Sequence, residues 1–242
     1  MKTFWGTHLT VVLPEDVSSM IYENRFYEEG LTLFVLKELK PGMTFLDIGA
    51  HFGYFSSLAS ELVGNDGQVH SFEPTRSTYE ILRENVNNKS NVKLNNNAVW
   101  YEKTKITFND FGIGLSAYNS LYNPRLDEKR TRKAKIRQYE VDAISIDEYA
   151  DSLKIKPDLI KVDAESAEYE VLKGMNDVIN RYRPIIIIEV GDKNVENVMK
   201  SKDLIKYLIG KGYKALEYKN GNIIDHKLQE EYAYDNIFFM PM

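Results

Sequence analysis

Apolar residues recur at helical spacing over 31–39, where Leu31, Phe34, Val35, Leu36 and Leu39 fall on one side of a turn of 3.6 residues. Lys40-Pro41-Gly42 ends that helix. The next run, Thr44-Phe45-Leu46-Asp47-Ile48-Gly49, is short and apolar, as in a buried strand; it enters a glycine turn, and a helix is predicted over 54–62. Asn65-Asp66-Gly67 marks a turn. A second strand is predicted over 68–72, ending at Glu73-Pro74. Thr75 can cap the following helix, which carries Tyr79, Leu82 and Val86 on one face. Residues 92–99 read as a third strand. Up to this point strand and helix alternate, which predicts a parallel sheet with helices on its faces.

The alternation stops over 100–141. Short strands are predicted at 105–108 and 139–141. Between them lie Asn119-Ser120-Leu121-Tyr122-Asn123-Pro124 and the basic positions Lys129, Arg130, Arg132, Lys133 and Lys135. A long loop of this kind tends to be functional or disordered; its charges suit a solvated surface or attraction of an anionic substrate. Ser145 and Glu148 form a capping box for a helix through Leu153. The alternation then resumes, with a strand at 159–162, a helix over 168–179, a strongly apolar strand at 185–190 and a helix from about 195 to 211. Strands at 213–218 and 236–240 follow, near a hairpin containing Asn220-Gly221-Asn222. The first 25 residues read as a β-rich or irregular lead-in. The expected organisation is a lead-in and helix over 1–40 packed on a single domain over 41–242, with an insertion at about 100–141.

Composition narrows the function classes. The net charge of −5 gives the whole molecule no attraction for nucleic acid or an anionic membrane. The absence of cysteine excludes disulfides, cysteine nucleophiles and thiolate metal sites. No apolar run approaches the length of a membrane-spanning helix, and the first residues do not read as a secretory signal. A cytoplasmic protein is the default expectation.

Four segments carry candidate chemistry. In Asp47-Ile48-Gly49-Ala50-His51-Phe52-Gly53, Gly49 lets the chain turn sharply out of a strand, and Gly53 opens a helix. The spacing lacks the middle glycine that brings a dinucleotide pyrophosphate against the backbone. S-adenosylmethionine has no phosphate; it carries an ammonium, a carboxylate and a sulfonium, so an acidic neighbour such as Asp47 suits it. Glu73, at the end of the second strand, can accept hydrogen bonds from two ribose hydroxyls. That ribose is common to S-adenosylmethionine and the nicotinamide cofactors. Asn97-Ala98, with Asn95 and Asn96 adjacent, suits an adenine ring: an amide to bond it and a small side chain to admit its plane. Asp163 and Glu165 cluster past the fourth core strand, where repelling carboxylates make a general base or bind a hard cation. Glu168 suits the helix end. Glu189 follows four isoleucines and would face the same crevice. His51 is a reserve base or a loop-packing residue, and His70, mid-strand, is structural.

Together these residues resemble the FkbM-type methyltransferases. The match lies in Leu46-Asp47-Ile48-Gly49-Ala50, Gly53-Tyr54, Phe72-Glu73-Pro74 and Asn119-Ser120-Leu121. It continues through Ile160-Lys161-Val162-Asp163-Ala164-Glu165, Glu168, Val171-Leu172-Lys173-Gly174 and Asp235-Asn236-Ile237. Two positions depart from the pattern: Ser166 stands where glycine is usual, and His51 where asparagine is common. The resemblance implies a Rossmann-like α/β fold with a seven-stranded, mostly parallel sheet whose last strand is antiparallel, and helices on both faces. It implies methyl transfer from S-adenosylmethionine, typically to an oxygen of a sugar or other small molecule. The expected cofactor residues are Asp47, Gly49, Ala50, His51, Phe52, Gly53, Glu73, Pro74, Asn97, Ala98 and Asp163, with Asp163 or Glu165 as base and no metal ligand assigned, metal-assisted chemistry remaining an alternative. A nicotinamide oxidoreductase and a non-catalytic binding domain are the rival expectations; the missing middle glycine of the loop from Gly49 to Gly53 argues against the first.

Overall fold

The computed structural model describes residues 1–122, 136–192 and 198–242. In chain order the strands are β1 (Thr44–Ile48), β2 (Gln68–Phe72), β3 (Val92–Asn95), β4 (Ala98–Val99), β5 (Thr104–Asp110), β6 (Arg137–Ile144), β7 (Leu159–Val162), β8 (Ile185–Val190), β9 (Tyr213–Lys219), β10 (Asn222–Asp225) and β11 (Asp235–Pro241). The helices are α1 (Asp16–Asn24), α2 (Glu29–Glu38), α3 (Tyr54–Val63), α4 (Arg76–Val86), α5 (Ile146–Leu153), α6 (Glu168–Lys173), α7 (Asn176–Tyr182) and α8 (Ser201–Gly210). A short 3-10 helix spans Ile113–Tyr118.

The main sheet has the order β10-β9-β11-β8-β7-β1-β2-β3. Strands β3, β2, β1, β7 and β8 are parallel, and β11 runs antiparallel to both β8 and β9. This is the expected Rossmann-like arrangement with one more strand than the seven predicted. The extra strand is β10, which turns back on β9 through Asn220-Gly221, both at positive φ. From β1 the chain moves outward to β2 and β3, then returns to β7 on the other side of β1. Such a switch point leaves a crevice beyond the carboxyl ends of the strands.

Because side chains alternate across a strand, neighbouring residues of β1 supply different cores. Leu46 and Ile48 join Ile160, Val162, Ile186 and Ile188 against α5 to α8. Phe45 joins Val69, Leu159, Ile187 and Phe238 against α2, α3 and the N-terminal segment. Phe34 of α2 stacks on Phe238 at 4.1 Å between ring centres.

The structure corrects three further expectations. The predicted third strand over 92–99 breaks at Asn96-Asn97. β3 stays in the main sheet, while β4 pairs with β6 in a separate three-stranded sheet, β4-β6-β5. The lead-in contains α1, whose start is capped by the Glu15 carboxylate accepting from Val17 N and Ser18 N. The helix predicted over 168–179 is two helices separated at Gly174, where a Cβ would lie 2.1 Å from the Trp100 carbonyl oxygen. The basic stretch from Lys129 to Lys135, Asn123-Pro124, and the predicted start of the last helix near 195 lie outside the described residues.

Candidate active site

A cavity opens at the switch point. Its floor is the loop from β1 to α3, from Gly49 to Phe52. Gly49 has φ +74, and a Cβ there would stand 1.8 Å from the Asp163 carbonyl oxygen. The backbone of this loop therefore packs directly on the loop after β7, an approach that only glycine permits. The amides of Gly49 and Ala50 both donate to the Phe72 carbonyl at 3.0 Å, tying the loop to β2 as well.

Glu73 is almost fully buried at the cavity wall. One carboxylate oxygen accepts from His51 N at 3.0 Å and the other from Thr75 N at 2.9 Å. The Thr75 side chain also bonds the carboxylate, which still keeps lone-pair capacity to accept from a ligand. Burial pushes its pKa up to about 7, against the lowering effect of those two amides. Pro74, Asn97 and Ala98 line the cavity beside it, with Phe108 and Leu121 of the insertion completing an apolar slot. The three asparagines point in different directions: Asn95 bonds the Ser71 carbonyl and Tyr149 hydroxyl, Asn96 the Glu73 and Pro74 carbonyls, and Asn97 the Asp142 carbonyl.

His51 has φ +49 and bonds Ser116 through Nε2 at 2.9 Å. Burial lowers its pKa to about 4, so the ring is neutral at ordinary pH. Asn119 donates to Thr75 Oγ1 at 3.2 Å. These two bonds fasten the insertion over the loops that follow β1 and β2. His70 lies off the cavity, bonded to Tyr149 and Gln68.

Asp163, Glu165 and Glu189 converge on the opposite side. Each offers a carboxylate oxygen within 4.8 Å of those of the other two. Such crowding suits a shared proton or a positively charged group. Beside them sits Lys161, only 3% exposed in the middle of β7. Its Nζ donates to Asp163 Oδ2 at 3.0 Å and to the Gly49 carbonyl at 3.4 Å, and lies 3.9 Å from Asp47 Oδ1. Burial works against the ammonium, but the carboxylates of Asp163, Asp47 and Glu28 outweigh it and hold the pKa above the usual lysine range.

Asp47 does not line the cavity. It is wholly buried behind the glycine loop, where Ser56 donates to Oδ2 at 2.6 Å and burial raises its pKa. Gly49, Ala50, His51, Phe52, Glu73, Pro74, Asn97, Ala98, Asp163 and Glu165 all do line it. Gly53 stands one step behind, at the start of α3 with φ +86. Sequence reasoning missed Lys161 as a functional residue, although a lysine inside a buried strand is itself a signal, since lysine is seldom fully buried without a partner. It also missed the wall supplied by Leu9, Val17, Ile21 and Tyr27, for which no local motif exists.

A cradle walled by Glu73, floored by a glycine loop and closed by three carboxylates fits a nucleoside bearing a cationic end. The model of the methyltransferase FkbM domain matches residues 47–215. Among curated proteins, the chain is 25% identical over 163 residues to the hexuronic acid methyltransferase AglP of Haloferax volcanii, covering 66% of this chain and 61% of that one. The chain thus spans less than two thirds of that relative. A putative rRNA-methylase from Clostridium thermocellum superposes with a TM-score of 0.50 at 11% identity, over 88% of this chain and 95% of its own. A methyltransferase FkbM from Methylobacillus flagellatus KT gives 0.49 at 16% identity, over 81% and 43%.

Proposed function

Because the chain belongs to the FkbM methyltransferase family and uses S-adenosylmethionine, we propose that it methylates a hydroxyl oxygen of a sugar or related small molecule, with a carboxylate as base. The observation that carries this reading is the convergence of Asp163, Glu165 and Glu189 at one end of the cavity, opposite Glu73. The sugar class is supported by the likeness to a hexuronic acid methyltransferase.

When bound, the cofactor supplies a methyl carbon already activated by its sulfonium. Glu73 would accept from the ribose hydroxyls, and the slot formed by Pro74, Asn97 and Ala98 would hold the adenine. The role of the loops would be to hold the acceptor hydroxyl and the methyl donor in register, since in-line transfer needs near-attack alignment. Asp163 or Glu165 would take the proton released by the acceptor hydroxyl as it receives the methyl group. The ammonium of Lys161 keeps Asp163 charge-compensated, which favours Glu165 as the proton acceptor.

Transfer of tritium from methyl-labelled S-adenosylmethionine to 4-nitrophenyl β-glucuronide and to neutral glycosides tests the reading. The expected result is base-stable labelling of an ether, and a rate loss of about 100-fold in Glu165→Gln. Full turnover in both Asp163→Asn and Glu165→Gln would refute the carboxylate base; labelling of amines alone would refute O-methylation.

A further inference from the structure

The loop between β7 and α6 closes on a hydrogen bond from Ala167 N to the Ala164 carbonyl at 3.1 Å. The two residues between them, Glu165 and Ser166, have φ values of +47 and +82. A four-residue turn with positive φ at both central positions belongs to the primed class, which favours asparagine and glycine. Neither Glu165 nor Ser166 is such a residue, so the local sequence opposes the conformation it adopts. Non-glycine residues persist there only when their surroundings over-determine them.

The surroundings are specific. Glu168, buried at the start of α6, accepts through the same carboxylate oxygen from Ala164 N and from Ser166 N, each at 3.1 Å. These are the amides on either side of Glu165. One carboxylate oxygen therefore grips the backbone before and after the residue and leaves its side chain to face Asp163 and Glu189.

We propose that Glu168 is a positioning residue for methyl transfer: its buried carboxylate holds the 164–167 turn in its left-handed form and so presents Glu165 at the reacting end of the cavity. The inference rests on the reading of Glu165 given above. It assigns the unusual Ser166 a consequence, because a serine at this position makes the turn depend on Glu168 more than a glycine would.

Two ligands read the arrangement without any acceptor. Sinefungin carries a primary ammonium where S-adenosylmethionine carries its sulfonium methyl, whereas S-adenosylhomocysteine carries nothing there. The ratio of their dissociation constants, measured by calorimetry, reports on the carboxylates at that point alone. The native chain is expected to prefer sinefungin by about 10-fold or more, since charged hydrogen bonds in a partly buried site are strong. Glu165→Gln removes most of that preference, and Glu168→Ala removes it to a similar extent while changing the affinity for S-adenosylhomocysteine by less than about two-fold. Glu168→Gln keeps the preference, because an amide oxygen accepts from the same two N–H groups. Ser166→Gly added to Glu168→Ala restores part of it. A purely structural role for Glu168 would weaken both ligands alike and overturn the proposal. A collapsed ratio in Glu165→Gln with an unchanged ratio in Glu168→Ala would also overturn it. An unchanged ratio in Glu165→Gln would instead remove the reading of Glu165 on which it stands. Should Glu168→Ala not fold, Ser166→Gly alone decides: it raises the melting temperature with the ratio intact if the turn is strained, and a lowered melting temperature defeats the argument.

Discussion

The loop leaving β1 and the loop leaving β7 lie side by side at one edge of the sheet, and both must reverse the chain within a few residues. The first does so with glycines at 49 and 53 and a single non-glycine, His51, in the left-handed region. The second does so with Glu165 and Ser166 and no glycine at all. Both are held by a buried carboxylate that accepts from the amide of a left-handed residue, Glu73 from His51 and Glu168 from Ser166. The second bond differs: Glu73 ties the β1 loop to Thr75 after β2, whereas Glu168 takes Ala164 of the same turn. A glycine loop lowers the cost of its own shape, whereas the β7 loop depends on its anchor. Non-glycine residues in the left-handed region cost roughly 1–2 kcal/mol each, so the second loop carries strain that the first largely avoids.

The sharpest way to break the comparison is at the contact between the loops. Gly49→Ala places a methyl group on the Asp163 carbonyl and a side chain at positive φ. A loss of about 3–5 kcal/mol in denaturant unfolding is expected, together with loss of binding to S-adenosylhomocysteine. A variant that unfolds like the native chain would mean that the loops are not in backbone contact.

Lys161→Met is next. It leaves Asp47 and Asp163 without their shared cation, and removing one member of a buried ion pair costs about 3–5 kcal/mol at the upper end. Adding Asp47→Asn should recover part of the loss, because the wholly buried charge is then gone. Strict additivity of the two changes in a double-mutant cycle would show that Lys161 does not act on Asp47.

The smallest expected effect distinguishes the anchors. Glu73 has its pKa raised to about 7, so the folded chain holds that proton more tightly than the unfolded chain. Its contribution to stability is therefore present at low pH and declines as pH rises from the ordinary carboxylate range through about 7. Ribose hydroxyls bond best to the ionised form, so affinity for S-adenosylhomocysteine should rise across the same window. Glu73→Gln should weaken binding by about 10-fold at pH 8 and flatten both pH dependences. Calorimetry and thermal melts between pH 5 and pH 9 check this; an unchanged slope in the variant would assign the titration elsewhere.

The sheet was legible because its signals are local and periodic. Strands such as β1 and β8 are continuous apolar runs, and the turns between them carry glycine, proline and asparagine at the positions where the chain reverses. What escaped depends on partners distant in sequence. α1 buries only Ser18 and Ile21 and begins at a glutamate, so neither its periodicity nor its cap stands out. β3 and β4 look like one strand because nothing in Leu94-Asn95-Asn96-Asn97-Ala98 announces that Asn96 will bond back to Glu73 and Pro74. In the site, the glycine loop, Glu73 and the Asp163–Glu165 pair are written in short motifs. Asp47 was read as facing the ligand because it adjoins the loop. In the structure Ser56 and Lys161 draw it to the far side, and neither attraction is encoded nearby in the chain.

The break between β3 and β4 makes the slot proposed for adenine a joint. One jaw, at Pro74, belongs to the main sheet, and the other, at Ala98 and Phe108, belongs to the small sheet, with the asparagine amides acting as the pin. On that proposal, substitutions within β5 and β6 are expected to change the slot width and so the grip on the nucleoside, while the carboxylates across the cavity stay where the main sheet holds them. Cofactor affinity and reaction chemistry would then be separately adjustable, which makes the small sheet the place to accommodate a bulkier adenine analogue.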